Sequence, residues 1–134
     1  MNRENISIDQ PNPRWFIDLD WLEQHNRSFL TLAESCLCSK CRERLRGAEI
    51  PAADLLSNIG DCCSKTSGFI TDELPILESI FRLFLASGNQ PLDLEELGDK
   101  LREWRGGDTY RTSAEILSRL LNNGQYYGLR QVPG

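Results

Sequence analysis

All five cysteines of this 134-residue chain lie in two short stretches, "ESCLCSKCRE" (34–43) and "GDCCSK" (60–65). Cys38 and Cys41 form a C-x-x-C pair. Cys62 and Cys63 follow about twenty residues later. Two thiol pairs at this separation are the layout of a four-thiolate zinc site. The C-x-x-C turn aims two sulfurs at one point, about 2.3 Å from an ion, and nearby backbone N–H groups stabilise the thiolates. The second pair departs from the pattern because it is C-C. Adjacent side chains diverge by about 100° on a helix and point to opposite faces of a strand. Both reach one ion only through an irregular turn. Cys38 and Cys41 are therefore the firmest metal ligands, at least one of Cys62 and Cys63 is the third, and the fourth is the other member of that pair or Cys36.

The competing readings differ in chemistry. Buried thiols pack as small hydrophobes, which is the first reading for Cys36. Core packing alone does not account for five cysteines within 28 residues of polar sequence. A thioredoxin-like pair would sit at a helix N-terminus after a strand, whereas this one follows a predicted helix. An iron–sulfur cluster could use the same thiolates. Structural Zn2+ ranks first, no metal second, and cluster or redox chemistry last. His25, the only histidine, lies on a helix predicted over about 20–36. There it would sit roughly 16 Å back along the axis from the knuckle, so it is not taken as a ligand.

The rest of the chain must position these thiols. Hydrophobic residues make up 40% and charged residues 26%, a globular balance. The chain divides into a disordered leader (1–13), a helical Cys-rich part (14–70) and a second helical part (71–134), expected to form one compact unit. In the first helical part, Trp15, Phe16 and Ile17 read as a hydrophobic staple. Asp20 and Glu23 have capping-box spacing for the 20–36 helix. "PAADLLSNIG" reads as a short helix with Gly60 as C-cap, and "DCCSKTSG" as a loop. In the second, Thr71 is the expected N-cap of a helix with an apolar face of Leu74, Leu77, Ile80, Phe81, Phe84 and Leu85. Two more capping boxes follow, Asp93 with Glu96 and Thr112 with Glu115. "RGGD" reads as a turn, Gly124 as a helix stop, and "YYGLRQV" as a terminal strand.

Helix, extended "NQPL", helix, turn, helix and strand over about residues 72–132 resemble the helix-turn-helix core of winged-helix domains. The resemblance implies that "TSAEILSRLLNN" takes the recognition-helix position. Only ten residues follow Gly124, enough for one strand, so the wing is expected to be reduced. The fold class is accordingly mainly α: a helical bundle with a winged-helix-like C-terminal core and a zinc-stapled N-terminal part. The whole chain also looks like a small bacterial protein family sharing the "WFIDLDW" opening, the cysteine knuckle and a "GGD-Y-RTS" turn, a resemblance that implies no activity.

Formal net charge is −5. Residues 100–134 hold six basic and three acidic residues, a local +3 that leaves −8 for residues 1–99. Any phosphate-binding surface must lie in that C-terminal third. Its candidates are Arg105, Arg111, Ser118, Arg119, Asn122 and Arg130. No apolar signal segment opens the chain, and its longest apolar runs carry charges, so a cytoplasmic protein without a membrane span is expected. That compartment keeps thiols reduced. No phosphate-loop, nucleophile-elbow or H-E-x-x-H motif is present, and no small-molecule substrate is identified. The sequence therefore points first to a non-enzymatic zinc-binding adaptor with an unknown protein partner, and second to a DNA-binding regulator.

Overall fold

Where hydrophobic periodicity predicts one helix over 20–36, two short helices stand instead: α1 (Leu19–Gln24) and α2 (Phe29–Glu34). Asn26 breaks them, with its backbone in the left-handed region at φ 59°. The Asn26 N–H donates to the Glu23 carbonyl at 3.1 Å and the Arg27 N–H to the Leu22 carbonyl at 2.8 Å, which closes α1 in a Schellman motif. Ser28 then starts α2, its hydroxyl accepting from the Thr31 N–H. The N-cap of α1 is Asp18, whose carboxylate accepts from the Trp21 N–H at 3.0 Å, rather than Asp20.

The structure is a computed structural model that describes residues 13–47, 49–105, 112–123 and 125–133. The predicted leader, apart from Pro13, lies outside these residues, as do Gly124 and the glycines of the "RGGD" turn. Among the described residues the chain is mainly helical, with seven α-helices and a small three-stranded sheet. After α1 and α2 come α3 (Ser39–Arg44), α4 (Ala52–Asp61), α5 (Ile76–Ala86), α6 (Leu94–Arg105) and α7 (Ala114–Leu121).

Trp15, Phe16 and Ile17 do not form a staple. They lie in β1 (Arg14–Ile17), the central strand of an antiparallel sheet ordered β2-β1-β3, with β2 at Leu92–Asp93 and β3 at Leu129–Gln131. Trp15 pairs with Leu92 on one side and Gln131 on the other. Alternation buries Trp15 and Ile17 against the helices, as the two-residue period of a strand requires. β2 ends too early to cover Ile17. Asn89 replaces it: its side-chain oxygen accepts from the Ile17 N–H and its amide donates to the Ile17 carbonyl, both at 2.9 Å.

Helix α5 is the hub. Ile80, Phe81, Leu83, Phe84 and Leu85 are all buried on it, and it packs against α4, α6 and β1. It begins after Pro75, not at Thr71, because a proline pushes the residue before it out of the α region. Residues 71–74 form a turn that Arg105 holds from α6. Its guanidinium donates to the carbonyls of Thr71, Asp72 and Leu74 and to the hydroxyl of buried Ser79, at 2.6–3.1 Å. Gly60 is not a C-cap. It lies within α4, where a Cβ would stand 3.1 Å from the Ala86 carbonyl oxygen, so its missing side chain lets α4 and the end of α5 approach. The box at Asp93 and Glu96 is reciprocal, as its spacing predicts. At α7 the cap is Ser113, whose hydroxyl accepts from the Ile116 N–H, while Thr112 is buried. One contiguous core joins both halves, from Ile17, Leu22 and Leu55 to Phe81, Leu101 and Leu129.

Candidate metal centre

Cys38 is the N-cap of α3, with extended backbone at ψ 162°. In that geometry its side chain faces the N–H groups of the first turn that have no intrahelical partner. The Cys41 backbone N–H, foremost, stabilises the Cys38 thiolate and lowers its pKa from 9.0 to about 7; the thiols of Cys63, Cys41 and Cys62 add to this as donors. The C-x-x-C turn thus supplies both sulfurs and the dipole that ionises the first of them.

The second pair arrives at a junction. Cys62 is the C-cap of α4, at φ −126° and ψ −65°, and Cys63 opens a 3-10 turn over Cys63–Lys65. The change of helix type turns the two adjacent side chains toward one place. The Cys62 sulfur lies 3.8 Å from that of Cys38, and the Cys63 sulfur 3.4 Å from it. Cys63 also accepts from the Cys38 backbone N–H at 3.2 Å. The turn is held by Ser64, which donates to the Gly60 carbonyl at 2.8 Å, and by Thr66, which donates to the Cys63 carbonyl at 2.7 Å. This segment is therefore the end of a helix and a 3-10 turn, not a loop.

The sulfurs of Cys38, Cys41 and Cys62 all lie within 4.8 Å of one another, compatible with a metal ion. Zinc–sulfur bonds of about 2.3 Å in a tetrahedron put neighbouring sulfurs roughly 3.8 Å apart, and the separations at Cys38 are of that size. Cys41 and Cys63 are fully buried, while Cys38 and Cys62 are half-buried. Burial foremost pushes the Cys41 and Cys63 thiols up. Cys62 is pushed up chiefly by the hydrogen bond its thiol gives Cys41, and next by the one it gives Cys38. Thiols this close ionise against one another, and a divalent cation removes that penalty by replacing their protons.

Arg44 stands behind Cys41. Its guanidinium lies 3.5 Å from the Cys41 sulfur and donates to the Asn58 side-chain oxygen at 2.8 Å. Asn58 in turn donates to the Asp54 carbonyl at 2.9 Å. This chain of contacts ties α3 to α4 and puts a cation beside the Cys41 sulfur. The sequence reading did not single out Arg44 or Asn58; the only signal was the arginine three residues after Cys41.

Cys36 belongs elsewhere. It is buried in the core, its sulfur 3.9 Å from the Leu32 carbonyl and 3.8 Å from the Ser35 hydroxyl, and burial pushes its thiol up. His25 is also outside the cluster, though not because of a long helix. It closes α1, its Nδ1 donates to the Trp21 carbonyl at 2.8 Å, and its ring stacks on Trp21 with centroids 3.9 Å apart.

The described candidate phosphate-contacting residues stand on three elements, α6, α7 with its C-cap, and β3. The Arg105 guanidinium is engaged with the 71–74 turn. Arg111 lies outside the described residues. Ser118, Arg119 and Asn122 share α7 and its C-cap; Arg119 is exposed and within 3.8 Å of Glu115. Arg130 on β3 lies 3.5 Å from the Asp18 carboxylate and over the Trp21 ring at 5.4 Å. No described helix is long and apolar enough to cross a membrane.

No family model matches this chain, and no curated protein or solved structure matches it.

Proposed function

We propose that this chain is a non-enzymatic interaction protein in which one structural zinc ion, held by Cys38, Cys41, Cys62 and Cys63, clamps α3 to the C-terminal end of α4. The observation that carries this reading is the group of Cys38, Cys41 and Cys62, whose sulfurs all lie within 4.8 Å of one another, with the Cys63 sulfur 3.4 Å from that of Cys38 as the fourth candidate. Four thiolates in a tetrahedron form a closed site with no position for a reactive water, which favours a structural over a hydrolytic role. A reducing compartment such as the cytoplasm suits such ligands. The clamp adds folding free energy where the chain has little else to offer, since α3 is only six residues long. Metal analysis of protein purified without added metal tests the reading: one zinc per chain is expected. Well under one zinc per chain, or iron with thiolate-to-iron absorption, overturns it.

A second reading has one observation in its favour. Helices α5, α6 and α7 sit beside a sheet in which β1, from the N-terminal part, pairs with both β2 and β3. That arrangement supports a winged-helix-like unit in which an N-terminal strand replaces the missing wing strand. α7 would then be the DNA-reading helix, presenting Ser118, Arg119 and Asn122, with Arg111 and Arg130 on phosphates. The test is retention on duplex DNA at increasing salt, with Arg111→Glu combined with Arg119→Glu expected to abolish it. Absence of binding at low salt removes this reading.

A further inference from the structure

The knuckle helix is a basic island in an acidic body. Residues 1–99 carry net −8, yet α3 and the two residues after it hold Lys40, Arg42, Arg44 and Arg46 against the single acid Glu43, all five exposed. Beside this helix the surface opens into a groove of about 470 Å3 between α2, α3 and the start of α4. Its floor is apolar: Leu30, Leu37, Leu45, Ile50 and Leu55. Leu30, Leu45 and Ile50 rest on the core yet remain partly open to solvent. Arg42 and Arg46 line it as well, against one acid, Glu34, and the hydroxyl residues Thr31 and Ser35.

Both arginines have donors to offer. Arg42 gives one terminal nitrogen to the Leu37 carbonyl at 3.1 Å and the Glu34 carbonyl at 3.5 Å. This fixes its position at the lip and uses at most two of its five N–H groups. Arg46 pairs with Glu43 at 3.1 Å, but both side chains are nearly three-quarters exposed, at 72% and 74%. Such a surface pair contributes little, so an incoming carboxylate competes with it at small cost.

We propose that this groove docks an acidic amphipathic segment of a partner protein, its apolar side chains on Leu45 and Ile50 and its carboxylates on Arg42 and Arg46. An apolar floor with two arginines against one glutamate around it matches that chemistry on both counts. Duplex DNA would use the cations and leave the floor unfilled. Single-stranded nucleic acid stacks its bases on aromatic side chains, and the groove lining has none. The inference rests on the interaction reading given above and names its surface. The metal enters because Cys38 and Cys41 hold α3, the wall that carries the rim.

The experiment uses the full-length, zinc-loaded protein and fluorescence anisotropy. The probe is a labelled peptide of about 16 residues, long enough to form a helix on binding, with leucines at i, i+3, i+4 and i+7 and glutamates elsewhere. Two controls carry lysine in place of glutamate, or the same residues in scrambled order. The acidic amphipathic peptide is expected to bind at least about tenfold tighter than either control at roughly 0.1 M salt. Leu45→Glu and Arg46→Glu are each expected to weaken it about tenfold. Leu45 rests on the core, so Arg46→Glu, wholly at the surface, keeps the test decisive if the first variant fails to fold. Equal binding of the controls, no binding, or binding unchanged in Arg46→Glu overturns the proposal. So does tighter binding to duplex DNA or anionic phospholipid vesicles, or dimerisation of the chain that Arg46→Glu abolishes. A zinc-replete protein that ignores the peptide removes the groove proposal and leaves the metal reading standing. If, instead, partner proteins crosslink to the chain equally well after Arg46→Glu, the groove is wrong and the interaction reading survives.

Discussion

The backbone N–H of Cys38 points at the sulfur of Cys63, 3.2 Å away, and the two sulfurs stand 3.4 Å apart. The knuckle thus supplies a low-pKa sulfur and also orients the Cys63 sulfur from the other segment. Removing either residue should undo the site. Cys38→Ala, Cys41→Ala and Cys63→Ala should each lower zinc affinity by more than the roughly 100-fold that losing an outer partner costs. Cys36→Ala should keep its zinc and lose about 1 kcal/mol for the small void it leaves in the core. Competition against a chromophoric chelator measures the first effect and urea unfolding the second. Zinc loss in Cys36→Ala would contradict the assignment.

Metal removal should loosen the fold measurably. A ligand present at about a thousand times its Kd stabilises the folded state by about 4 kcal/mol. For a chain of this size that corresponds to on the order of 10 °C in Tm. Adding a strong chelator should lower Tm by that amount, and added zinc should restore it. An unchanged melting curve would count against a clamp.

Acid should release the metal. Binding converts thiols to thiolates, so protons leave and affinity rises with pH. Cys38 is lowered to about 7, whereas Cys41, Cys62 and Cys63 are pushed above their ordinary 9.0. Below pH 7 all four ligands must lose a proton; between 7 and 9 Cys38 has already lost its own. The slope of log affinity against pH should therefore ease by about one proton as pH rises through 7. A constant slope from pH 6 to 8 would contradict the ionised Cys38.

Arg105 should act on stability and not on DNA. Its guanidinium serves three carbonyls and the Ser79 hydroxyl at the start of α5. Arg105→Ala should cost about 2–3 kcal/mol, as charged hydrogen bonds to partly buried groups do. Arg105→Lys should recover only part of this, because an ammonium lacks the planar fork. Denaturant midpoints of the three proteins check the order.

Asn89 combines two requirements, a left-handed backbone at φ 62° and a carboxamide that completes β1. Asn89→Gly keeps the first and loses the second, for an expected cost of about 1–2 kcal/mol. Asn89→Asp should cost more, since its carboxylate would face the Ile17 carbonyl. Chemical unfolding of both variants tests this, and an Asn89→Asp protein as stable as Asn89→Gly would refute the bridge.

Much of the helical architecture is legible in the amino-acid order. The apolar stripe of α5, the capping box at Asp93 and Glu96, and the separation of the cysteine pairs are all local patterns. Helix boundaries are less so. Hydrophobic residues continue on both sides of "HNRS", so periodicity runs straight through a break that Asn26 and Ser28 make with backbone hydrogen bonds. Gly60 and Thr112 mislead for another reason. Glycine and threonine suit caps, but these two were placed by packing, Gly60 against the end of α5 and Thr112 in the buried approach to α7.

By itself, the sequence determined that the chain is mainly helical, that its thiols fall in two clusters, and that its basic residues are unevenly spread. These follow from residue type and spacing, which act over a few residues. Only the tertiary structure decided that β1 is the centre of a sheet built from three distant segments, that Arg105 bolts the 71–74 turn to α6, and that both Cys62 and Cys63 face Cys38 while Cys36 does not. Each of these depends on contacts between residues tens of positions apart, and on the turn from α-helix to 3-10 helix at Cys62 that aims two adjacent sulfurs the same way.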